Sequence, residues 1–275
     1  MAALMRSLSD RVRSDFLMPS RLGVYRAFLE SALKEGYRVC SVSGIWRLIT
    51  AQGLDPHGRY LVLRHNVDTG WRTAAAMWTI DADLGVESSY FFRLSTLAPT
   101  LMAQIAAGGS EASYHYDELA TVAKRRGLAT RAELSDHVAE ARDQFATNIA
   151  RVRGATGLPI RVVAAHGDFI NRRLGIPNWV ILDDATVRRQ VGIDLETYDE
   201  VYLRHLPSRH TDAPFPRFWT PEDPNRAMRD SAPILALTLH PRHWQVERVE
   251  NARDDLGRLA EGLRFEVRTA LRKRT

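Results

Sequence analysis

The sequence has a single cysteine, Cys40, which excludes an internal disulfide. It has no uninterrupted apolar stretch near the ~20 residues that a membrane span needs, so no membrane span is expected. Its first residues are interrupted by Arg6, Asp10, Arg11, Arg13 and Asp15 and lack the apolar region of a secretory leader. A cytoplasmic location is the resulting expectation. Lysine is nearly absent, and the net charge of +5 rests almost wholly on arginine. The pairs Arg172-Arg173 and Arg188-Arg189 and the basic tail 268–273 read as solvated surface. There is no interleaving of aromatic and basic residues, so nucleic acid is not an expected partner. Proline and glycine are scattered and charges are mixed, which argues against disorder.

What remains is a chain of 275 residues, 45% hydrophobic and 26% charged, long enough for a large buried core. No composition shift or repeat marks a boundary. The expectation is one domain over 1–275, with a helical N-terminal extension over about 1–36. Helical spacing of Leu22, Tyr25, Phe28, Leu29, Ala32 and Leu33 predicts a helix over 19–36, stopped by Gly36. Short strand and helix patterns follow over 37–42 and 43–53. Residues 60–65 read as a buried strand, 72–84 as a helix, 89–92 as a strand and 99–107 as a helix. Thr130-Arg131-Ala132-Glu133 has the form in which threonine and glutamate satisfy free backbone amides reciprocally, and it opens a helix predicted to reach 153. The stretch 167–232, including Pro214-Phe215-Pro216-Arg217-Phe218-Trp219, reads as a long functional loop. A terminal helix is expected over 246–272. Alternation of strand and helix indicates a parallel sheet covered by helices, closed or nearly so.

Four of the nine histidines share one context. The apolar run 60–64 meets His65-Asn66-Val67-Asp68, and three further runs stop at His115, His166 and His240. Ligands bind beyond the carboxyl ends of the strands in parallel α/β folds, so these imidazoles fall where chemistry is done. His65, Asp68, His115 and His166 could supply nitrogen and oxygen ligands to a divalent metal of the hydrolytic zinc type. Singly, a strand-end histidine is more often a hydrogen-bonded structural residue. His240 is a candidate general acid, because an imidazole can protonate a leaving amine near pH 7. His243 is either its neighbour or a surface residue. Asp212 could orient His240 or hold substrate, the alternative being a turn aspartate. Trp219, beside Phe218, could stack on a sugar ring, and core packing is the competing reading.

The segment Leu63-Arg64-His65-Asn66-Val67-Asp68 resembles the RHDVD signature of a branch of the polysaccharide deacetylases, the NodB-homology or carbohydrate esterase family 4 group. The resemblance continues in 84–93 (LGVESSYFFR), in 109–118 (GSEASYHYDE), in Ala165-His166-Gly167-Asp168 and in Leu237-Thr238-Leu239-His240-Pro241. It covers roughly 20–245 and specifies no substrate. It implies an α/β fold, a distorted (β/α)7 barrel with parallel strands covered by helices. It also implies metal-dependent removal of an N-acetyl group from an amino sugar, with zinc the first choice of metal and nickel, cobalt or manganese the alternatives. By the same resemblance Asp68 and His115 become metal ligands and His240 the acid, with His166 or His65 completing the set. Arg93 and Tyr116, in two of the matched segments, are expected to contact the N-acetylated sugar substrate. Two departures stand out. Leu119 occupies the place of the second metal histidine, and Asn66 replaces the signature's first aspartate, the catalytic base. An amide takes no proton usefully at neutral pH. Asn66 therefore marks either a natural variant with altered chemistry or an inactivated Asp-to-Asn form. A non-catalytic carbohydrate-binding member of the fold and another C–N hydrolase, such as a deformylase, are the competing functions.

Overall fold

The computed structural model describes residue 10 and residues 12–213 and 218–272. Pro214-Phe215-Pro216-Arg217, most of the first eleven residues of the expected N-terminal extension, and the end of the basic tail lie outside the described residues. The principal elements in chain order are α1 (Leu22–Lys34), β1 (Tyr37–Cys40), β2 (Arg59–Val67), α2 (Trp71–Asp83), β3 (Ser89–Phe92), α3 (Pro99–Ala107) and β4 (Glu111–Tyr116). They continue with α4 (Glu118–Arg126), α5 (Val138–Thr156), β5 (Val162–Ala165), β6 (Leu195–Glu196), β7 (Ser208–Thr211), β8 (Ile234–Leu239) and α6 (Arg248–Arg272). The named strands pair in parallel. The fold class is the α/β one expected, parallel strands covered by helices, as in a distorted (β/α)7 barrel. The chain divides into two compact units, one running to Ser113 and resuming over Glu200–Asn251, the other Tyr114–Asp199 with the residues from Ala252 onward.

In the first unit β2 is the hub. One edge pairs with β8 from Tyr60↔Ile234 to His65↔Leu239. The other edge pairs first with β1 and then, from Arg64↔Ser89 onward, with β3. Buried on both faces, β2 needs the nearly continuous apolar run that marks such strands. Below it sits a polar knot. Asp81 on α2 is fully buried and accepts hydroxyl protons from Tyr25 (2.5 Å), Ser88 (2.5 Å) and Tyr90 (2.7 Å). Burial still pushes its carboxyl up to about 6.

In the second unit β4 pairs with β5, and β5 with β6. Phe145 of α5 packs edge-on against Tyr116, 5.0 Å between ring centroids, and flat against Tyr114. The helix expected over 130–153 is broken at His137, whose ring Nδ1 donates to the Glu133 carbonyl at 2.8 Å and ends the short helix Arg131–Asp136. The stretch 167–232 is not one loop. It contains the helices Phe169–Leu174, Ala185–Val191 and Pro224–Arg229 and the strands β6 and β7. These were hidden because β6 has two residues and β7 reads Ser-Arg-His-Thr, with no apolar alternation to reveal it.

The reciprocal cap expected at Thr130 forms: its hydroxyl accepts from Glu133 N, and the Glu133 carboxylate accepts from Thr130 N at 3.0 Å. Thr130→Ala should therefore cost about 1 kcal/mol, read as a lower urea midpoint with an unchanged slope.

Candidate active site

The register of the first unit places the site. Leu239 lies level with His65, so His240 follows at the carboxyl end of β8 beside residue 66 of β2. Thr211 lies level with Thr238, and Asp212 leaves β7 with its amide donating to the Thr238 carbonyl. The two expected partners therefore meet. Asp212 is fully buried, and its Oδ1 accepts from His240 Nδ1 at 2.6 Å. Its Oδ2 accepts from the His240 amide at 2.8 Å and from Trp244 Nε1 at 3.0 Å, with His243 Nδ1 3.3 Å away. Burial opposes the charge on Asp212, but His243 and His240 outweigh it and hold the carboxyl well below its ordinary range. Burial likewise opposes a proton on His240. Asp212 overcomes this and Asp68 adds to the pull, against Arg64, so the imidazole keeps its proton above the ordinary histidine range. With Nδ1 tied to the carboxylate, Nε2 is the ring nitrogen not engaged by Asp212.

Asn66 is buried and its Oδ1 accepts from Arg64 Nε at 2.9 Å. The loop bearing Arg93 is anchored next to the signature: Thr96 Oγ1 accepts from the Arg93 amide and donates to the Val67 carbonyl at 2.6 Å. Trp219 is half-buried, with its ring 6.2 Å from Trp244 and 5.7 Å from Phe218. Trp244 thus joins the aromatic cluster to Asp212.

Two expected roles are corrected. His65 lies inside β2 rather than beyond it, is fully buried, and stacks on Tyr90 at 4.1 Å. Its Nδ1 contacts the Ser89 carbonyl at 3.1 Å and its Nε2 the Tyr25 hydroxyl at 3.0 Å, so neither nitrogen is left for a metal. Burial drives its pKa down to about 3. Tyr116 is likewise sealed in the core of the second unit, out of reach of a sugar.

Of the other expected ligands, Asp68 belongs to the first unit, while the second brings His115 and His166 together with ring centroids 5.2 Å apart and planes at 88°. His115 Nδ1 donates to the Ala164 carbonyl at 2.8 Å, which fixes the tautomer with its lone pair on Nε2, the usual preparation of a metal-binding imidazole. The loop carrying His166 is clamped by Asn178, which donates to the His166 carbonyl and accepts from the Ala120 amide. Donor atoms of Asp117, His166 and Asp168 lie within 4.8 Å of one another. Asp168 is already engaged, capping the Ile170 amide and pairing with the buried Lys124 at 2.7 Å. That leaves the Asp117 carboxylate and the His166 imidazole as neighbouring donors, with the His115 ring beside His166. Asp212, His240 and His243 are as closely grouped, but a cation there would have to displace the N–H groups already on Asp212.

The residues not foreseen are Trp244, Asp117, Asp168 and Lys124. A signal existed for two of them: histidine is followed two residues later by aspartate at 115/117 and 166/168, as at 210/212. Residues i and i+2 share a side of an extended chain.

No family model and no curated protein matches the sequence. Among solved structures, the chain is similar to a CE4 family pseudoenzyme from Bacillus anthracis, with a TM-score of 0.40, 16% identity, and 76% of this chain and 63% of that chain covered. It thus spans less than two thirds of that protein's length. It is also similar to a mutant of that pseudoenzyme with restored enzymatic activity, at a TM-score of 0.43, 13% identity, and 75% and 65% coverage. The peptidoglycan deacetylase PdaC from Bacillus subtilis is similar at a TM-score of 0.39 and 12% identity, with 80% of this chain and 96% of that one covered.

The pairing of His240 with Asp212 has a measurable sign. A raised imidazole pKa contributes stability that is complete below the unfolded-state value near ~6.5 and lost as pH rises through the folded value. Asp212→Asn should lower the His240 titration midpoint, followed by NMR of the ring protons. A midpoint that does not fall would remove Asp212 as the source.

Proposed function

We propose that this chain is built as a metal-dependent amide hydrolase that removes an acetyl group from an N-acetylated amino sugar. The observation that carries the reading is the buried Asp212 carboxylate at 2.6 Å from His240 Nδ1. An imidazole held in one tautomer, with its proton affinity raised, at the carboxyl end of a strand is equipped to protonate a departing amine. Within the second unit, Asp117 and His166, with His115 beside His166, are the candidates to hold a divalent cation, and zinc suits such nitrogen and oxygen donors. A cation held there would supply polarisation of a carbonyl and acidification of a bound water. The rest falls to the chain's own side chains. His240 Nε2 delivers the proton to the leaving nitrogen, Asp212 holds the ring and balances its charge, and Trp219 and Arg93 are the candidates for sugar contacts.

Position 66 is where proton abstraction would occur, and there Asn66 is an amide held by Arg64. A carboxylate in its place would keep the Arg64 contact and gain a charge able to take the proton. Asn66 also favours a second reading, a carbohydrate-binding protein that retains the architecture without turnover.

Acetate release from N-acetylated amino sugars, with zinc supplied, tests both. Asn66→Asp should raise it by roughly 10²–10⁴-fold, the range of general-base catalysis, and His240→Asn on that background should abolish the gain. Sugar binding by the unaltered chain, with no acetate from either form, supports the binding-only reading and removes position 66 from any mechanism.

A further inference from the structure

The helix α6 wears its apolar face on the outside. Leu256, Leu259, Leu263, Val267 and Leu271 recur at spacings of three and four residues and so form one stripe. Each is 58–68% exposed. A surface helix ordinarily turns such a stripe inward. Here the opposite face makes the anchoring contacts. Phe265 is buried against Phe169, Glu261 pairs with the buried Lys124 at 2.8 Å, Thr269 reaches the Gly127 carbonyl, and Arg272 pairs with Glu133 at 2.9 Å. Rolling the stripe inward would break all four, so the helix is fixed with its leucines facing solvent.

We propose that this stripe is a self-association surface, on which α6 of a second copy of this chain packs in parallel. The argument from partner chemistry is the charge bordering the stripe. Arg253 and Arg264 run along one side, with Arg268, which also donates to the Lys124 and Arg125 carbonyls, and Asp255 and Glu266 run along the other, Glu266 also pairing with Arg173. In a two-fold pair of parallel helices each basic side faces the partner's acidic side. In an antiparallel pair like sides meet, arginine against arginine. The pattern therefore selects a parallel pair of identical helices. A membrane surface fits poorly, because arginines and carboxylates nearly balance along the helix, whereas helices that lie on membranes carry a strongly cationic polar face. The stretch from residue 252 to residue 272 is ~30 Å long and ~10 Å wide, so the stripe offers about 300 Å² per copy. That is well below the ~800 Å² per partner of a standard stable interface, so the association is expected to be weak and reversible.

Sedimentation of the full chain between ~1 and ~100 µM should show the 31.1 kDa species giving way to one of twice that mass. A double substitution, Leu259→Glu with Leu263→Glu, should weaken the dimer at least ~10-fold without changing the melting curve, since both side chains are exposed. Cys40 is buried, with its thiol pushed up to about 11, so an added cysteine is the reactive one. Leu256→Cys and Leu271→Cys should each cross-link to themselves under mild oxidation, whereas an antiparallel pair would link neither. A chain that stays monomeric throughout overturns the proposal. So does a dimer that survives the double substitution, or one in which neither cysteine cross-links. Sedimentation with vesicles of anionic phospholipid, lost in the double variant of an otherwise monomeric chain, would assign the stripe to membrane binding instead.

Discussion

A carboxylate with no access to water needs donors on every side, and Asp212 has them in the two N–H groups of His240, the indole of Trp244 and the adjacent His243. This requirement links strand ends and loops that are far apart in sequence. It ties β7 to β8 at their carboxyl ends and fixes the imidazole tautomer. Through Trp244 it also brings in the aromatic cluster of Phe218 and Trp219. A buried ion of this kind adds little net stability, because desolvation consumes most of the attraction. Its contribution is to specify one arrangement, since any other leaves a charge buried without partners.

The same logic explains the polar residues of β2. Arg64 and His65 interrupt an otherwise apolar strand, yet both are satisfied locally. Arg64 donates to Asn66, and His65 is locked between Tyr25 and Ser89 while stacked on Tyr90. With Asp81 collecting three hydroxyl protons beneath them, α1, α2, β2 and β3 are joined by hydrogen bonds as well as by apolar contact. A rigid base results for Asn66 near the end of the strand and for Asp68 just beyond it. In the second unit the Ala164 carbonyl and Asn178 do comparable work for His115 and His166, holding each ring or its loop by backbone contacts.

The match between sequence and structure is uneven for identifiable reasons. Strands with long apolar runs, such as β2 and β8, are legible because most of their residues are buried and apolar. The Thr130–Glu133 cap was legible because it is a local hydrogen-bond exchange. β7 was not, since a strand of Ser-Arg-His-Thr is stabilised by its neighbour and not by its composition. His65 resembles a strand-end residue in the sequence, but the end of an apolar run is not the end of a strand. β2 continues through Val67, and the pleat turns the His65 ring into the core.

By itself the sequence determined the alternation of strand and helix, the candidate imidazoles and the amide at position 66, all properties of single residues or short spacings. Tertiary structure decided which imidazole pairs with a buried carboxylate, which two lie together and which became a strut. A histidine's role depends on what meets its two nitrogens, and those partners come from elements 24 to 49 residues away. It also decided the fate of α6, whose leucine spacing signals a face to be buried but says nothing of where. Only the anchoring of Phe265, Glu261 and Arg272 turns that face to solvent.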